Sequence, residues 1–446
     1  MSNCTPDTTH PCYNQEAHGF FARIHLPVAP ACNIQCNYCN RKYDCSNESR
    51  PGVTTAKLSY VDAVKKTLFV GSKIRNLSVA GIAGPGDAIA NPEQTFGALE
   101  LLAKHAPDLT LCISTNGLML PFYAKRLKEC GVNHLTVTLN TVDPKIGANI
   151  YSWVYDTKNK KRYKGEEGAE LLLNRQLKGI EECVRLGIAV KINSVLIPGV
   201  NEDDLPNVAS RVRALGVHLH NIMPLLSEPE FDTYFSNSGV KSATDEQVEK
   251  ARSVCGLVQE QMTHCRQCRA DAIGILGEDR SSEFEGEGYA KNSIESLAIA
   301  YDLDGKIATK QALVEKQKRL VHKNSIQFES KGILVAVTSR KEGMVDLHFG
   351  EAKEFVVYEI NNGSAKAIGI RRLRSSYCHG ESDCSDTNPI AEILEKLKGI
   401  DYLVTAKVGP TPSKKIQEAG VKILQCEGAS MLDVIRLVAP LELEAN

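Results

Sequence analysis

From residue 20 to about residue 262, short β-branched runs alternate with segments whose apolar positions recur at helical spacing. Strand-like runs fall at residues 24–28, 77–82, 109–114, 134–140, 188–197 and 217–225. Between them Val61, Val64 and Leu68 repeat on one helical face, as do Phe96, Leu99 and Leu102. Pro92 stands where a first helical turn accepts proline, and Gly131, Gly187 and Gly216 stand where helices end. Strand–helix alternation implies parallel strands joined by right-handed crossovers. Six units predict an α/β fold with a partial (β/α)6 barrel, whose chemistry would gather at the C-terminal strand ends.

The rhythm breaks over residues 278–331, which are charged and weakly periodic, and this stretch reads as a linker carrying one or two helices. A second pattern starts at residue 332, with strands near 333–338, 355–360 and 367–373. A helix at 390–397, a strand at 402–405, a helix near 413–419, a strand at 421–424 and a helix at 431–437 follow. The domain reading is therefore 1–277 for the barrel with its flanking extensions, 278–331 for the linker and 332–446 for a small α/β domain.

Composition narrows the class. The 446 residues carry 53 Lys+Arg against 54 Asp+Glu, for a net charge of -1, and 42% are hydrophobic. These values exclude disordered, collagen-like and membrane-spanning classes and give no reason to expect nucleic acid or a membrane as partner. The first residues lack the basic and apolar regions of a secretory signal, so a cytoplasmic location is expected.

Fifteen cysteines are many for a reducing compartment, where disulfides do not persist. Cys130, Cys183 and Cys255 sit in helical patterns and read as small buried hydrophobes. The others cluster. Cys4, Cys12, Cys32, Cys36, Cys39 and Cys45 lie in the first 45 residues, and Cys265 and Cys268 form a Cys-x-x-Cys pair. Cys32-Asn-Ile-Gln-Cys36-Asn-Tyr-Cys39 directly follows the first strand. Three thiolates so spaced can hold three irons of a 4Fe–4S cubane and leave the fourth open to a chelating ligand. A zinc knuckle completed by Cys45 is the competing reading.

The motif after a first strand resembles the radical S-adenosylmethionine (SAM) superfamily, with Tyr38 in its usual aromatic place. Gly81-Ile-Ala-Gly84-Pro85-Gly86-Asp87 is similar to its glycine-rich SAM motif, which more often reads Gly-Gly-Glu. Glycines admit close backbone approach, and Asp87 would offset the SAM ammonium. The resemblance extends to the NifB family of nitrogenase cofactor biosynthesis enzymes. It rests on His10-Pro-Cys12 through His18, Ala22-Arg-Ile-His25 through Pro30, Cys39 through Cys45, Glu48 through Gly52, Leu111-Cys-Ile-Ser-Thr-Asn-Gly117 and His264-Cys265-Arg-Gln-Cys268 through Ala272. Val345-Asp-Leu-His348-Phe-Gly350 resembles the cofactor-binding NifX/NafY-type domain, which implies an RNase H-like fold for the C-terminal part.

That resemblance implies an enzyme of the radical SAM lyase or cofactor-maturase kind, acting in nitrogen fixation. It would fuse two 4Fe–4S substrate clusters, with a SAM-derived carbide and one added sulfur, into the eight-iron precursor of the iron–molybdenum cofactor (FeMo-co). Three 4Fe–4S clusters and SAM are then required. Carried over by position, Cys32, Cys36 and Cys39 hold the SAM-cleaving cluster. Cys12, His25 and Cys112 hold one substrate cluster, and Cys45, Cys265 and Cys268 the other. His18 or His264 could replace His25. Arg23, Arg266 and Arg269 would offset anionic clusters.

Taken singly, Cys112 and His25 also suit core positions, and Cys265 with Cys268 a zinc half-site or redox pair. Thr138 and Asn140 would bond the SAM ribose or carboxylate, and Ile150 and Met223 would line its adenine. His348, Cys378, His379 and Cys384 are candidates for holding the finished product. The basic run 158–164 reads as a solvated loop. Implied partners are an iron–sulfur cluster donor, downstream cofactor scaffold or carrier proteins, and an electron donor such as ferredoxin or flavodoxin. The rival readings are a radical SAM enzyme with auxiliary clusters that modifies a peptide or small molecule, and a non-enzymatic iron–sulfur scaffold.

Overall fold

The computed structural model describes residues 9–14, 17, 19–46, 54, 57–265, 268–286, 288–327, 333–339, 344–361, 364–373, 377, 389–430, 433–434 and 437–438. It resolves into two units, Met1–Arg252 with Gln261–Asn324 and Ser253–Glu260 with Ser325–Asn446.

In the first unit six parallel strands stand side by side in chain order: β1 (Ala22–His25), β2 (Leu77–Ile82), β3 (Thr110–Thr115), β4 (Val132–Thr138), β5 (Ala189–Leu196) and β6 (Leu219–Pro224). A two-residue strand, Ile273–Gly274, adds antiparallel to the β1 edge. Crossover helices are α1 (Tyr60–Lys73), α2 (Pro92–His105), α3 (Leu120–Glu129), α4 (Pro144–Ile150), α5 (Gly165–Arg185) and α6 (Leu205–Ala214). Local signals account for their ends. Ser59 accepts from the Asp62 amide at the start of α1, Pro92 opens α2, and Asp143 caps α4.

The strands alternate. Ile24, Ala80, Ile82, Leu111, Ile113, Leu135, Val137, Val190 and Ile192 share one apolar core with Val64, Leu68, Phe96, Leu99 and Leu102 of the helices. The intervening residues, among them His25, Gly81, Cys112, His134, Lys191 and Asn193, lie on the opposite face. A filled (β/α) barrel puts branched apolar side chains on that face. Here that inner face, which borders the lumen of the barrel, is polar instead.

Residues 278–324 belong to this unit, which differs from the linker reading. The helix Ile294–Tyr301 packs on α1, and Phe284, Tyr289, Leu297 and Tyr301 are buried in the barrel's outer core. Lys306 of the helix Leu303–Gln327 is buried as well, its Nζ donating to the Leu77 carbonyl at 3.0 Å. The many charges hid one inward face. The basic run differs too, since Lys161–Tyr163 is a strand. It pairs antiparallel with Tyr151–Asp156, which pairs with Ile34–Cys36 inside the cysteine loop. Its lysines remain exposed, as a solvated segment requires.

The second unit is a five-stranded sheet ordered Ser364–Arg372, Glu354–Asn361, Ile333–Val337, Tyr402–Thr405, Lys422–Gln425. The first three strands are antiparallel and the last two join in parallel. Helices Pro389–Lys396 and Pro410–Glu418 complete a small α/β domain. Part of the expected helix at 431–437 lies outside the described residues. No described helix is long and apolar enough to cross a membrane.

Candidate functional site

The Cys32–Cys39 loop is fastened to the turn that ends β2. The Ala29 amide donates to the Gly84 carbonyl (3.2 Å), the Gly86 amide to Ala29 (2.6 Å) and the Asp87 amide to Ala31 (2.8 Å). A Cβ on Gly86 would stand 2.3 Å from the Ala31 carbonyl oxygen, so glycine is what lets the two backbones touch. Asp87 is buried, and four protein donors take its carboxylate. The Ile89 and Ala90 amides bond Oδ1 (3.0 and 2.9 Å), while the Thr115 hydroxyl and the Asn116 amide bond Oδ2 (2.9 and 2.6 Å). A carboxylate offers about four lone-pair sites. Asp87 is therefore a cap that ties the turn to β3, and it keeps no lone pair for the ammonium that the sequence suggested. Burial nonetheless raises its pKa.

Cys36 and Tyr38 are buried with Leu118, Ile150, Tyr151, Val195, Met223 and Phe235, and Cys32, Cys39 and Cys265 pack against this apolar cluster. Ile150 and Met223 thus belong to the same buried apolar cluster as the cysteine loop. Burial pushes the Cys32 thiol up to about 12, with Asp87 adding to it, and raises Cys39. Such thiols stay protonated until a metal displaces the proton. Asn116, not anticipated from the sequence, bonds Asn33 (2.7 Å) and reaches the Cys32 sulfur at 3.6 Å. Asn140 spends both amide hydrogens on tyrosine hydroxyls, Tyr38 at 2.6 Å and Tyr151 at 3.2 Å, and its oxygen accepts from the Val195 amide. It braces the loop rather than presenting a donor to a ribose. Thr138 is buried, its carbonyl bonded by Gln176.

The second set of donors meets inside the barrel. The register across three strands runs His25–Gly81–Cys112 and continues to His134. A Cβ built on Gly81 would lie 2.9 Å from the Cys112 sulfur and 3.3 Å from His25 Cδ2, with Nε2 at 3.8 Å. The missing side chain of Gly81 thus leaves a gap in the row that the Cys112 thiol and the His25 imidazole lean into from either side. The His25 Nδ1–H donates to the Arg269 carbonyl at 3.0 Å, which leaves the Nε2 lone pair on the side of the gap. Burial, with Arg23 nearby, pushes His25 down to about 4, so the ring is neutral as ligation requires.

Cys12 arrives on a turn inserted from the N-terminal side, where the rings of His10 and Tyr13 each pack 4.6 Å from His134. Burial pushes Cys12 up to about 11, and Lys191, Cys268, Arg23 and Cys265 are close enough to act on it. Arg23 is buried and donates to the Cys268 sulfur at 2.9 Å. His264 Nε2 lies 3.0 Å from the Pro11 carbonyl, which ties the segments carrying Cys265 and Cys12 together. Cys45 lies beside Asp44, whose Oδ2 meets the Ala270 amide at 3.5 Å, and near enough to Tyr38 to act on its hydroxyl.

Among the described residues no three His, Cys, Asp or Glu side chains close on one point as a single ion requires. A cubane instead takes one thiolate per iron, so its donors surround a volume, and this donor set with its glycine gap fits that demand. Cys130, Cys183 and Cys255 are buried, in keeping with the packing role read from their helices. His18, Arg266, Cys378, His379 and Cys384 lie outside the described residues. In the second unit His348 Nδ1 accepts from the Gly350 amide at 3.0 Å.

Residues 26–212 match the Radical SAM superfamily, and residues 331–440 match the family described as Dinitrogenase iron-molybdenum cofactor. The FeMo cofactor biosynthesis protein NifB of Bradyrhizobium diazoefficiens is 44% identical over 424 residues, covering 93% of this chain and 82% of that protein. Its namesake in Herbaspirillum seropedicae is 43% identical over 425 residues, covering 93% and 78%, and that of Azotobacter vinelandii 42% over 430 residues, covering 93% and 84%. The chain belongs to the NifB family. As a radical SAM member of that family it works with a 4Fe–4S cluster and SAM, and its second unit belongs with the nitrogenase-cofactor domains.

Proposed function

We propose that this NifB-family chain fuses two 4Fe–4S substrate clusters into the eight-iron, carbide-centred precursor of FeMo-co, adding one sulfur. The observation that carries the proposal is the gap at Gly81, flanked by Cys112 and a His25 whose tautomer is fixed for ligation, together with Cys265 and Cys268 close enough to act on Cys12. A SAM enzyme with one cluster has no use for these donors. Cys12, His25 and Cys112 hold one substrate cluster, and Cys45, Cys265 and Cys268 the other, so three clusters are bound in all. Ligation by few, exchangeable bonds suits clusters that must depart as product. His25 rather than His18 or His264 is the imidazole ligand, on the strength of its bond to Arg269.

Cys32, Cys36 and Cys39 would hold the resident 4Fe–4S cluster, which would supply the electron for reductive cleavage of SAM. Tyr38, Gly84, Gly86, Ile150 and Met223 shape the SAM pocket, and Asp87, Thr138 and Asn140 hold its walls in place. One SAM gives its methyl group to a sulfide of the substrate and leaves as S-adenosylhomocysteine. A second leaves as methionine and 5′-deoxyadenosine, the latter having taken a hydrogen atom from that methyl. The protein's share is orientation and exclusion of water.

Electrons come from an acidic ferredoxin or flavodoxin. Lys158, Lys160, Lys161, Arg162 and Lys164 are exposed on a hairpin paired to the cysteine loop, where Arg41 and Arg162 lie 5.9 and 4.5 Å from the Trp153 ring. Substrate clusters come from an iron–sulfur donor, and the product passes to scaffold or carrier proteins.

The test is anaerobic reconstitution with iron and sulfide, then addition of SAM and dithionite. The expected result is both S-adenosylhomocysteine and 5′-deoxyadenosine. Deoxyadenosine alone would favour an enzyme acting on a peptide or small molecule, and neither product would favour a scaffold.

A further inference from the structure

Lys191 is a buried cation in a place where the described protein supplies no anion. It sits on β5 and is 7% exposed. Lys191 pairs with Thr136 of β4, which pairs with Ser114 of β3, and one pleat below them runs the row His134, Cys112, Gly81, His25. The lysine therefore rises from the sheet face that bears the thiol and the imidazole, one pleat nearer the C-terminal strand ends. Its ammonium lies 5.3 Å from the centroid of the Tyr13 ring and 4.0 Å from the Met262 sulfur. It is near enough to act on His10, Cys12 and His25. Among the described residues no carboxylate stands within ion-pair distance of it.

An ammonium withdrawn from water is unfavourable unless it is paired. A ring face and a thioether replace only part of the lost hydration. Arg23, a buried cation on the same sheet, has its two terminal guanidinium nitrogens bonded to three backbone carbonyls and the Cys268 sulfur. Lys191 has no such set beside the Tyr13 ring and the Met262 sulfur.

We propose that Lys191 binds the anionic iron–sulfur substrate held by Cys12, Cys112 and His25, its ammonium donating to the sulfides on the cluster's upper face. This rests on the proposal above that a substrate cluster occupies the lumen. The residue type suits the task. Lysine is a point charge on a flexible stem, without the fixed fork of arginine, and can follow a substrate whose core is being rebuilt. Met262 and Tyr13 keep the stem upright without competing as anions. The substrate is thus held by directional bonds from two thiolates and an imidazole and by one non-directional charge.

The experiment compares wild type, K191M and K191R after anaerobic reconstitution with iron and sulfide, with K191Q as the alternative should K191M fail to fold. It reads iron and sulfide per chain and the rate at which a strong iron chelator strips the protein. The SAM-perturbed EPR signal of the Cys32–Cys36–Cys39 cluster serves as the check on folding. Substrate-cluster iron should leave the neutral variant about tenfold faster than wild type, with K191R close to wild type. A role confined to packing against Tyr13 would lower thermal stability and leave iron release unchanged. Equal release from the neutral variant and wild type, or no rescue by K191R, overturns the proposal. A wild-type chain that holds only a single cubane overturns instead the multi-cluster reading on which it rests.

Discussion

The imidazole of His25 donates from Nδ1 to the carbonyl oxygen of Arg269, 3.0 Å away and 244 residues distant in the chain. That bond chooses the ring's tautomer and, with it, which nitrogen faces the gap at Gly81. Arg269 follows directly on Cys268, so one short segment both orients the imidazole and brings in a thiol.

Gly81→Ala tests the gap. The new methyl would meet the Cys112 sulfur at 2.9 Å and His25 Cδ2 at 3.3 Å. Iron content should fall by about four per chain, one cubane's worth, while the SAM-cleaving cluster remains. Iron analysis after anaerobic reconstitution measures it. Wild-type iron content would show that thiol and imidazole move aside and still ligate.

Asp87→Asn separates a cap from a SAM contact. The amide would turn an N–H2 toward the Thr115 hydroxyl or the Asn116 amide, stranding a buried donor at a cost of about 1–3 kcal/mol. Denaturant unfolding should show that loss. If SAM affinity fell while stability stayed at the wild-type value, the carboxylate would be touching SAM after all.

Acid should weaken the barrel through His220. Its Nδ1 accepts from Gln261 at 3.2 Å and its Nε2–H meets the Ser194 hydroxyl at 2.9 Å, both bonds of the neutral ring. Burial pushes it down to about 3, below the unfolded value near 6.5. The unfolded chain therefore binds the extra proton between those values, and stability is lost as pH falls. The loss from this one group is about 3 kcal/mol by pH 4. A stability–pH profile of His220→Gln should be flatter over that range, and an unchanged slope would place the acid sensitivity elsewhere.

On the proposed function, the basic hairpin receives the electron donor and takes no part in the chemistry. Reversing Lys160, Lys161 and Arg162 to Glu should slow turnover driven by an acidic flavodoxin or ferredoxin by about tenfold at low salt. Turnover driven by dithionite should be unaffected, and raising the ionic strength should shrink the gap between variant and wild type. Equal slowing with both reductants would mean that the hairpin shapes the site itself.

Much of this was legible before any coordinates. Alternating apolar runs announced the parallel strands, because a crossover unit writes its period into local sequence. The Cys32–Cys36–Cys39 spacing marked the radical SAM kinship, because a single short loop carries all three cysteines. Asp87 misled for the opposite reason. Its charge is visible in the sequence, but its four partners come from two segments, and counting lone pairs needs them all. The 278–324 segment misled because charged runs lie on both sides of the short helix Ile294–Tyr301, while Leu297, Tyr301 and Lys306 are nonetheless buried.

By itself, then, the chain of residues determined the strand and helix order, the cysteine loop and the kinship with NifB, all of which reside in neighbouring positions. Only the tertiary structure decided that His25, Gly81 and Cys112 share a row, that Arg269 orients the imidazole, and that Lys191 is buried with no carboxylate among the described residues within ion-pair distance. Strand register and the pairing of distant groups arise from packing, which no local spacing encodes.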